Sequence, residues 1–151
     1  MTGTIINVDG GNDYRMRTLN AAEIYHYPLD QKAQQNLAQY FFQLSSEPRQ
    51  QQGQIEINQR MINFVEEADS VLHIEFSELC EGARSQLDYI ELAKLYHTVL
   101  LSGLVQMGSH NDDAARRFIA LVDEFYERHV TLIIAAEVPL EHLYSGGRLT
   151  F

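Results

Sequence analysis

The acidic residues are the best candidates in this sequence for a catalytic or metal-binding role. Glu137 follows the apolar run Thr131–Ala136, and ligands and catalytic residues collect just past the carboxyl ends of strands in open α/β sheets. A catalytic Glu137 therefore stands beside the favoured alternative, a hydrogen-bonded structural carboxylate. Asp123 and Glu124 imitate the acidic pair that holds a metal in hydrolytic enzymes, but they fall within a predicted helix. We expect these two to be surface charges.

Histidine and cysteine supply few further patterns. The six histidines form no HExxH motif and no His–Cys pair at ligand spacing. His73 and Glu75 share a predicted strand face and could touch one metal ion, but two ligands do not make a site, so a half-buried structural pair is expected. Cys80 is the single cysteine; it cannot form an internal disulfide and is expected to be buried.

Motifs that hold phosphate or activate a serine are missing. The sequence contains no GxxxxGK[ST], GxGxxG or GxSxG pattern. Residues 9–11, Asp-Gly-Gly, are glycine-rich, but no lysine follows them and a turn is the expected structure. Neither phosphate binding nor an esterase mechanism is indicated by a motif.

Composition limits the remaining function classes. The 151 residues suffice for one domain with a core, and 45% hydrophobic with 21% charged residues is typical of a soluble globular protein. The formal net charge of −10 argues against nucleic acid and anionic lipid as partners, because both need a basic face. No apolar run is long enough to span a membrane, and residues 1–4 do not resemble a signal peptide. We therefore expect a cytoplasmic protein.

The first half of the chain alternates helical and strand patterns. Residues 4–8 predict a short strand and residues 18–25 a helical turn. Asp30 is a good N-cap for a helix over Gln31–Leu44, and residues 45–53 are expected to be a loop. A hairpin follows, with its turn at residues 58–60. The apolar face predicted for the helix consists of Ala33, Leu37, Tyr40, Phe41 and Leu44.

The second half predicts an α/β layer. The expected elements are a strand over 71–76, a turn over 77–80, a helix from Ser85 to about residue 96, a buried parallel strand over 98–101, a loop over 103–110, a helix from 111 or 112 to 128, a strand over Thr131–Ala136 and a short helix or turn over 140–144. Ser85 and Asp88 resemble a capping box. The alternation indicates an α/β fold with a small mixed or parallel sheet flanked by helices.

The spacing of apolar residues in the long helix predicts which of its sides faces the core. Its apolar face should contact the core, with Arg117, Asp123 and Glu124 outward. Acid–base pairs four residues apart, 113 with 117 and 124 with 128, are expected on its outer side. The predicted core-facing residues are Ala114, Phe118, Leu121, Val122 and Phe125.

Two polar–aromatic clusters lie at predicted element boundaries. One is Asp13-Tyr14-Arg15, and the other runs from Arg84 to residue 89 and contains Asp88. Either cluster could be an interface or sensor element, or equally an internal ion pair and a helix cap. The residues alone leave both alternatives open.

Several stretches, in order and at family-like spacing, resemble a known family. They are residues 8–17 (VDGGNDYRMR), 75–80 (EFSELC), 84–93 (RSQLDYIELA), 116–139 and 143–149. They are similar to the C-terminal portion of ZapE-type AAA+ ATPases, the bacterial relatives of the mitochondrial AFG-like (lactation-elevated) ATPases. Gln59 departs from the family, whose hairpin turn often has glycine there.

The resemblance implies a division of the chain and a function for a larger parent. Residues 1–29 would end a nucleotide-binding core and its linker, and residues 30–151 would form a C-terminal α/β domain of a P-loop ATPase. The parent would hydrolyse ATP with Mg²⁺ and assist cell division through the tubulin-like ring protein. The nucleotide loop would precede residue 1, so this chain alone is expected to be inactive.

The same resemblance implies partners and roles. The expected partners are the remainder of the ATPase core, the division-ring protein and further copies of the chain in a homo-oligomer. Asp13, Arg15, Arg84, Asp88 and Glu137 would be interface or sensor residues rather than catalytic ones. The alternatives are a stand-alone protein-interaction domain that binds no nucleotide and, more remotely, a carboxylate hydrolase centred on Glu137.

Overall fold

A computed structural model gives the fold and describes residues 25–45 and 49–145. The strands of the main sheet are β1 (Tyr25–His26), β2 (Gln50–Ile57), β3 (Arg60–Ala68), β4 (Val71–Glu75), β5 (Thr98–Leu104) and β7 (Thr131–Ala136), while β6 (Met107–Gly108) pairs with β8 (Tyr144–Ser145). The helices are α1 (Gln31–Leu44), α2 (Phe76–Cys80), α3 (Gln86–Leu95) and α4 (Asp112–Glu127). Short 3₁₀ turns cover Ser109–Asn111 and Leu140–His142.

The main sheet is mixed, with strand order β1-β7-β5-β4-β3-β2. The pairs β1–β7, β7–β5 and β5–β4 are parallel, whereas β4–β3 and β3–β2 are antiparallel. Parallel strands need crossover connections, which α2 and α3 supply between β4 and β5 and α4 supplies before β7. The predicted α/β class with a small mixed sheet flanked by helices is confirmed.

Helices cover both faces of this sheet. Leu100 and Ile133 pack with the buried residues of α1, while their neighbours Leu101 and Ile134 pack with α2, α3 and α4. Successive side chains of a strand point to opposite faces. A strand between two apolar layers is therefore apolar throughout, which explains the continuous apolar runs in β5 and β7.

Helix α1 begins where its cap predicts. The Asp30 side chain accepts a hydrogen bond from the Ala33 N–H at 2.9 Å, which satisfies one of the free donors of the first turn. Ala33, Leu37 and Phe41 are buried as expected. Leu44 is 44% exposed, so the predicted apolar face was one turn too long.

The β2–β3 hairpin is longer than its sequence indicates. The predicted turn at 58–60 is present but one residue shorter, because Arg60 already pairs with Ile57. Both turn residues, Asn58 (φ 51°) and Gln59 (φ 69°), adopt the left-handed conformation that tight hairpin turns require. Gln50 and Gln51 pair with β3, so the predicted loop over 45–53 was wrong from residue 50 onwards. Polar glutamines are tolerated there because β2 is an edge strand with exposed side chains.

Helix α4 has the predicted core face, since Ala114, Phe118, Leu121, Val122 and Phe125 are all buried. Its outer side differs from expectation. Arg117, Asp123 and Glu124 are half-buried rather than outward. Asp113 pairs with Arg116 at 3.1 Å instead of Arg117, because Arg117 contacts α2, whereas the predicted pair of Glu124 and Arg128 is present at 3.4 Å.

Element boundaries account for the remaining differences. The strand over 71–76 ends at Glu75, and residues 76–80 form α2 rather than a turn. The expected loop over 103–110 contains the end of β5 and all of β6. Tyr25 belongs to β1 and not to a helical turn; the predicted strand over 4–8 and residues 18–24 lie outside the described residues. The domain division at residue 29 stays a prediction, although β1 pairs with β7.

Candidate functional site

Arg84 lies at the carboxyl end of α2 among three side-chain donors. Its Nε donates to the Glu78 carbonyl at 2.8 Å, the Tyr89 hydroxyl donates to the Leu79 carbonyl at 2.6 Å, and Arg117 Nη1 donates to the Cys80 carbonyl at 3.2 Å. The last carbonyls of a helix have no partner within it. Tyr89 and Arg117 therefore hold α2 against α3 and α4, while Arg84 holds the loop that follows α2 against that helix.

Arg84 also forms an ion pair with the side chain of its carbonyl partner. Its Nη2 is 3.8 Å from Glu78 Oε1, and the Arg84 side chain is only 12% exposed. Arg84 is thus positioned by the neighbouring helix, with little of its guanidinium in solvent.

Asp88 is a buried carboxylate that joins the hairpin to α3. It is 1% exposed and accepts hydrogen bonds from Asn58 Nδ2 at 2.9 Å, Arg60 Nη2 at 3.3 Å and the Ser85 N–H at 3.0 Å. Arg60 Nη1 also donates to the Ala83 carbonyl. The predicted capping box of Ser85 and Asp88 is confirmed. No sequence pattern indicated the two hairpin donors, Asn58 and Arg60.

Glu137 stabilises the connection between β5 and β6. Its Oε2 accepts a hydrogen bond from the Gln106 N–H at 2.9 Å, and its own N–H donates to the Leu104 carbonyl at 2.8 Å. These contacts are those of the structural alternative. They lie at residues 104–106, a different segment from the one that holds Arg84 and Asp88.

Of the five predicted interface or sensor residues, Asp13 and Arg15 lie outside the described residues and Glu137 lies in another segment. Arg84 and Asp88 are four residues apart and have separate partners. Their contacts are those of an internal ion pair and a helix cap. An additional role in communication with a nucleotide-binding core stays a prediction.

Cys80 is fully buried, as expected. Burial raises the pKa of its thiol well above the ordinary value, and the nearby Tyr89 hydroxyl has a raised pKa for the same reason. A thiol that stays protonated at neutral pH is a poor nucleophile. Cys80 is therefore a structural residue of the core rather than a nucleophile.

A cavity of about 370 Å³ lies between α1 and the sheet, near the carboxyl ends of β4 and β5. Its polar wall contains Glu66, His73, Glu75 and Ser102. Ser102 Oγ is 3.0 Å from His73 Nε2. Burial lowers the pKa of His73 to about 4, so the imidazole is neutral at pH 7. The cavity therefore lies beside the sheet edge near which ligands commonly bind in open α/β folds.

The cavity brings together residues that are distant in sequence. His73 and Glu75 share it, as their common strand face predicted. In residues 25–45 and 49–145, no three or more His, Cys, Asp or Glu side chains are arranged so that they could hold a metal ion. Sequence reasoning missed Glu66 and Ser102. Strand register places them, since Glu66 pairs with His73 across β3 and β4 and Ser102 pairs with Glu75 across β5 and β4.

The family of the protein is shown by a sequence-family match, which stands beside the fold and the motifs described above. The α/β sheet is covered by helices on both faces, the chain carries no phosphate-binding loop motif, and none of the described helices has the length and apolar character of a membrane span. The family model for AFG1-like ATPases matches residues 2–151, and the chain belongs to that family.

Individual relatives agree with this assignment. The cell division proteins ZapE of Escherichia coli K12 and O157:H7 are each 44% identical to the chain over 147 residues. This match covers 97% of the chain and 39% of each relative. The lactation elevated protein 1 homolog B of Danio rerio is 27% identical over 97% of the chain and 30% of its own length. No solved structure matches the chain significantly.

Proposed function

We propose that the chain is the C-terminal region of an ATPase that couples ATP hydrolysis to cell division by acting on the tubulin-like ring protein in the cytoplasm. One observation carries this proposal: 44% identity to the cell division protein ZapE over 97% of the chain. Because the chain spans only 39% of that relative, the activity belongs to the larger parent. ATP and Mg²⁺ would bind in the remainder of the ATPase core.

The chemistry of the cavity supports a nucleotide site elsewhere. Glu66 and Glu75 line it, and none of the described residues around it is a lysine or an arginine. Triphosphate sites use cations and backbone N–H groups to hold negative charge. A cavity with unopposed carboxylates would repel ATP, in agreement with the missing phosphate loop.

The contacts of Arg84 suggest how this region would serve the parent. An arginine that links α2 and its own loop could change partners when a neighbouring nucleotide core or subunit moves. Asp13, Arg15, Asp88 and Glu137 are the further candidates for this communication. In this proposal none of the five residues is catalytic.

The communication role is tested in the full-length protein. Arg84→Ala and Arg15→Ala should lower ATP turnover per folded molecule, whereas Arg116→Ala, which removes an arginine 50% exposed, should not. Because Arg84 has internal hydrogen bonds, each melting temperature is measured beside turnover. Activity that falls only in step with the folded fraction would leave Arg84 with a purely structural role.

The division function needs the parent and its target together. Full-length protein is mixed with purified ring protein, and light scattering reports polymer mass with ATP or without nucleotide. We expect an ATP-dependent change that this chain alone does not produce. No change with ATP would contradict the proposed target. A parent reading frame without a phosphate loop would contradict the ATPase and favour a stand-alone interaction domain.

A further inference from the structure

We propose that the cavity between α1 and the sheet binds a protonated primary amine on an aliphatic chain, with Glu66 and Glu75 as its counter-charges. This inference concerns a second ligand and does not depend on the proposed ATPase function. It follows from the shape of the cavity, from its charge and from the hydrogen-bonding groups on its wall.

The shape suits a small ligand with an apolar portion. A volume of about 370 Å³ lies within the range of small-molecule pockets, which are mostly apolar with a few convergent polar groups. Leu29, Ala33 and Leu37 line the α1 side, and Val65 and Ala135 line the sheet side. An aliphatic chain can bury its methylene groups against these side chains.

The charge selects a cation. The side chains of Glu66, which is half-buried, and Glu75, which is exposed, form no hydrogen bond or ion pair with any described residue. No lysine or arginine is among the described lining residues. A third carboxylate on the wall, Asp30, is engaged at the start of α1. His73 is neutral at pH 7 because burial lowers its pKa to about 4, so it does not offset the two glutamates.

The polar groups favour a primary amine over a quaternary one. A primary ammonium carries three N–H donors. The cavity wall offers acceptors on Glu66 and Glu75 and a further oxygen on Ser102, whose hydroxyl is held 3.0 Å from His73 Nε2. A quaternary ammonium has the same charge and no donor, so it should bind more weakly.

Catalysis by the Ser102–His73 pair is the competing interpretation. A general base works best with a pKa near the operating pH, whereas burial lowers the pKa of His73 to about 4. Within residues 25–45 and 49–145, no carboxylate side chain hydrogen-bonds to the His73 ring, so none of them stabilises the imidazolium that proton transfer would form. The geometry therefore favours binding.

The test is an NMR titration of the chain, labelled with ¹⁵N, at pH 7 and low salt. n-Butylammonium should shift the backbone amide signals of Ser102 and Gly103 in a saturable way. Butyltrimethylammonium should bind more weakly, and butyrate should not bind. A short peptide with one central lysine carries the same amine. Tighter binding by that peptide than by n-butylammonium would show that the natural ligand is a polypeptide, whereas tighter binding by n-butylammonium would show that it is a small molecule.

Matched variants keep the proposal falsifiable. Glu66→Gln and Glu75→Gln should each weaken n-butylammonium binding about fivefold, as loss of one partly exposed charge partner does. Glu56→Gln removes an exposed strand carboxylate outside the cavity and should leave the affinity unchanged. No saturable shift in the unmodified chain, equal weakening by all three variants, or equal binding of butyrate would overturn the proposal.

Discussion

Replacement of Asp88 by alanine tests whether this buried carboxylate holds the hairpin and α3 together. The substitution removes the acceptor of three hydrogen bonds, from Asn58, Arg60 and the Ser85 N–H. A hydrogen bond to a charged group contributes about 1.5–3 kcal/mol. The bond from Arg60 counts for less, because that side chain is 45% exposed and solvent screens it.

The expected loss in the free energy of unfolding is about 3–4 kcal/mol. Two terms dominate it: the Ser85 N–H loses its side-chain acceptor at the first turn of α3, and the Asn58 amide loses its partner in the turn. Urea denaturation followed by circular dichroism measures the change. Asp113→Ala is the matched control, because Asp113 is 79% exposed, and it should cost less than about 0.5 kcal/mol.

Asp88→Asn separates charge from shape. The amide oxygen can still accept from one donor, so the loss should fall between those of the alanine variant and the control. Losses below about 1 kcal/mol for Asp88→Ala would refute the reasoning, since a carboxylate with three partners at 1% exposure could not then be structural.

The structure predicts the direction of three further changes in the free energy of unfolding. Phe118→Ala should cost about 3–5 kcal/mol in urea unfolding, because Phe118 is 1% exposed, whereas the exposed Glu127→Ala should cost less than about 0.5 kcal/mol; equal losses would contradict the helix phase. Gln59→Gly should raise the free energy of unfolding by about 1 kcal/mol, because φ is 69° there, while Gln54→Gly in β2 should lower it; destabilisation by the first would contradict the turn geometry. Stability should fall from pH 7 to pH 5, because unfolded His73, with a pKa near 6.5, binds a proton that the folded residue, with a pKa of about 4, does not; His73→Gln should reduce that fall by about 2 kcal/mol, and an unchanged fall would contradict the burial of His73.

Periodic elements could be predicted from the sequence because their signals are local. The cap at Asp30 and the spacing of Ala33, Leu37 and Phe41 define α1 without reference to the rest of the chain. The same holds for α4 and for the continuous apolar run of β7. Helix phase and strand burial repeat every few residues, so short windows contain them.

The first part of the edge strand β2 could not be predicted, because its glutamine side chains show no apolar alternation. Gln50 and Gln51 pair with β3 through backbone hydrogen bonds, and their exposed side chains contribute no pattern. The short strand β6 was missed for a related reason, since its partner Tyr144 is 37 residues from Met107. Pairing over such distances depends on the completed fold.

The candidate sites also depend on contacts between residues about 30 positions apart in the sequence. Asp88 was identified through Ser85, three residues away, but its partner Asn58 is 30 residues away. Ser102 lies in an apolar strand with no motif around it. The register of β4 and β5 places it opposite Glu75, and its hydroxyl reaches the His73 ring two residues away along β4. A sequence pattern can show a cap; it cannot show which side chains a sheet brings together.

The central claim is that this chain is a nucleotide-free region of an AFG1-like ATPase. Titration calorimetry of the chain with ATP and Mg²⁺, beside a phosphate-release assay, tests it most directly. We predict no binding heat and no phosphate release from the chain alone, with both present in the full-length protein under the same buffer. Saturable micromolar binding of ATP at one site of this chain would contradict the claim.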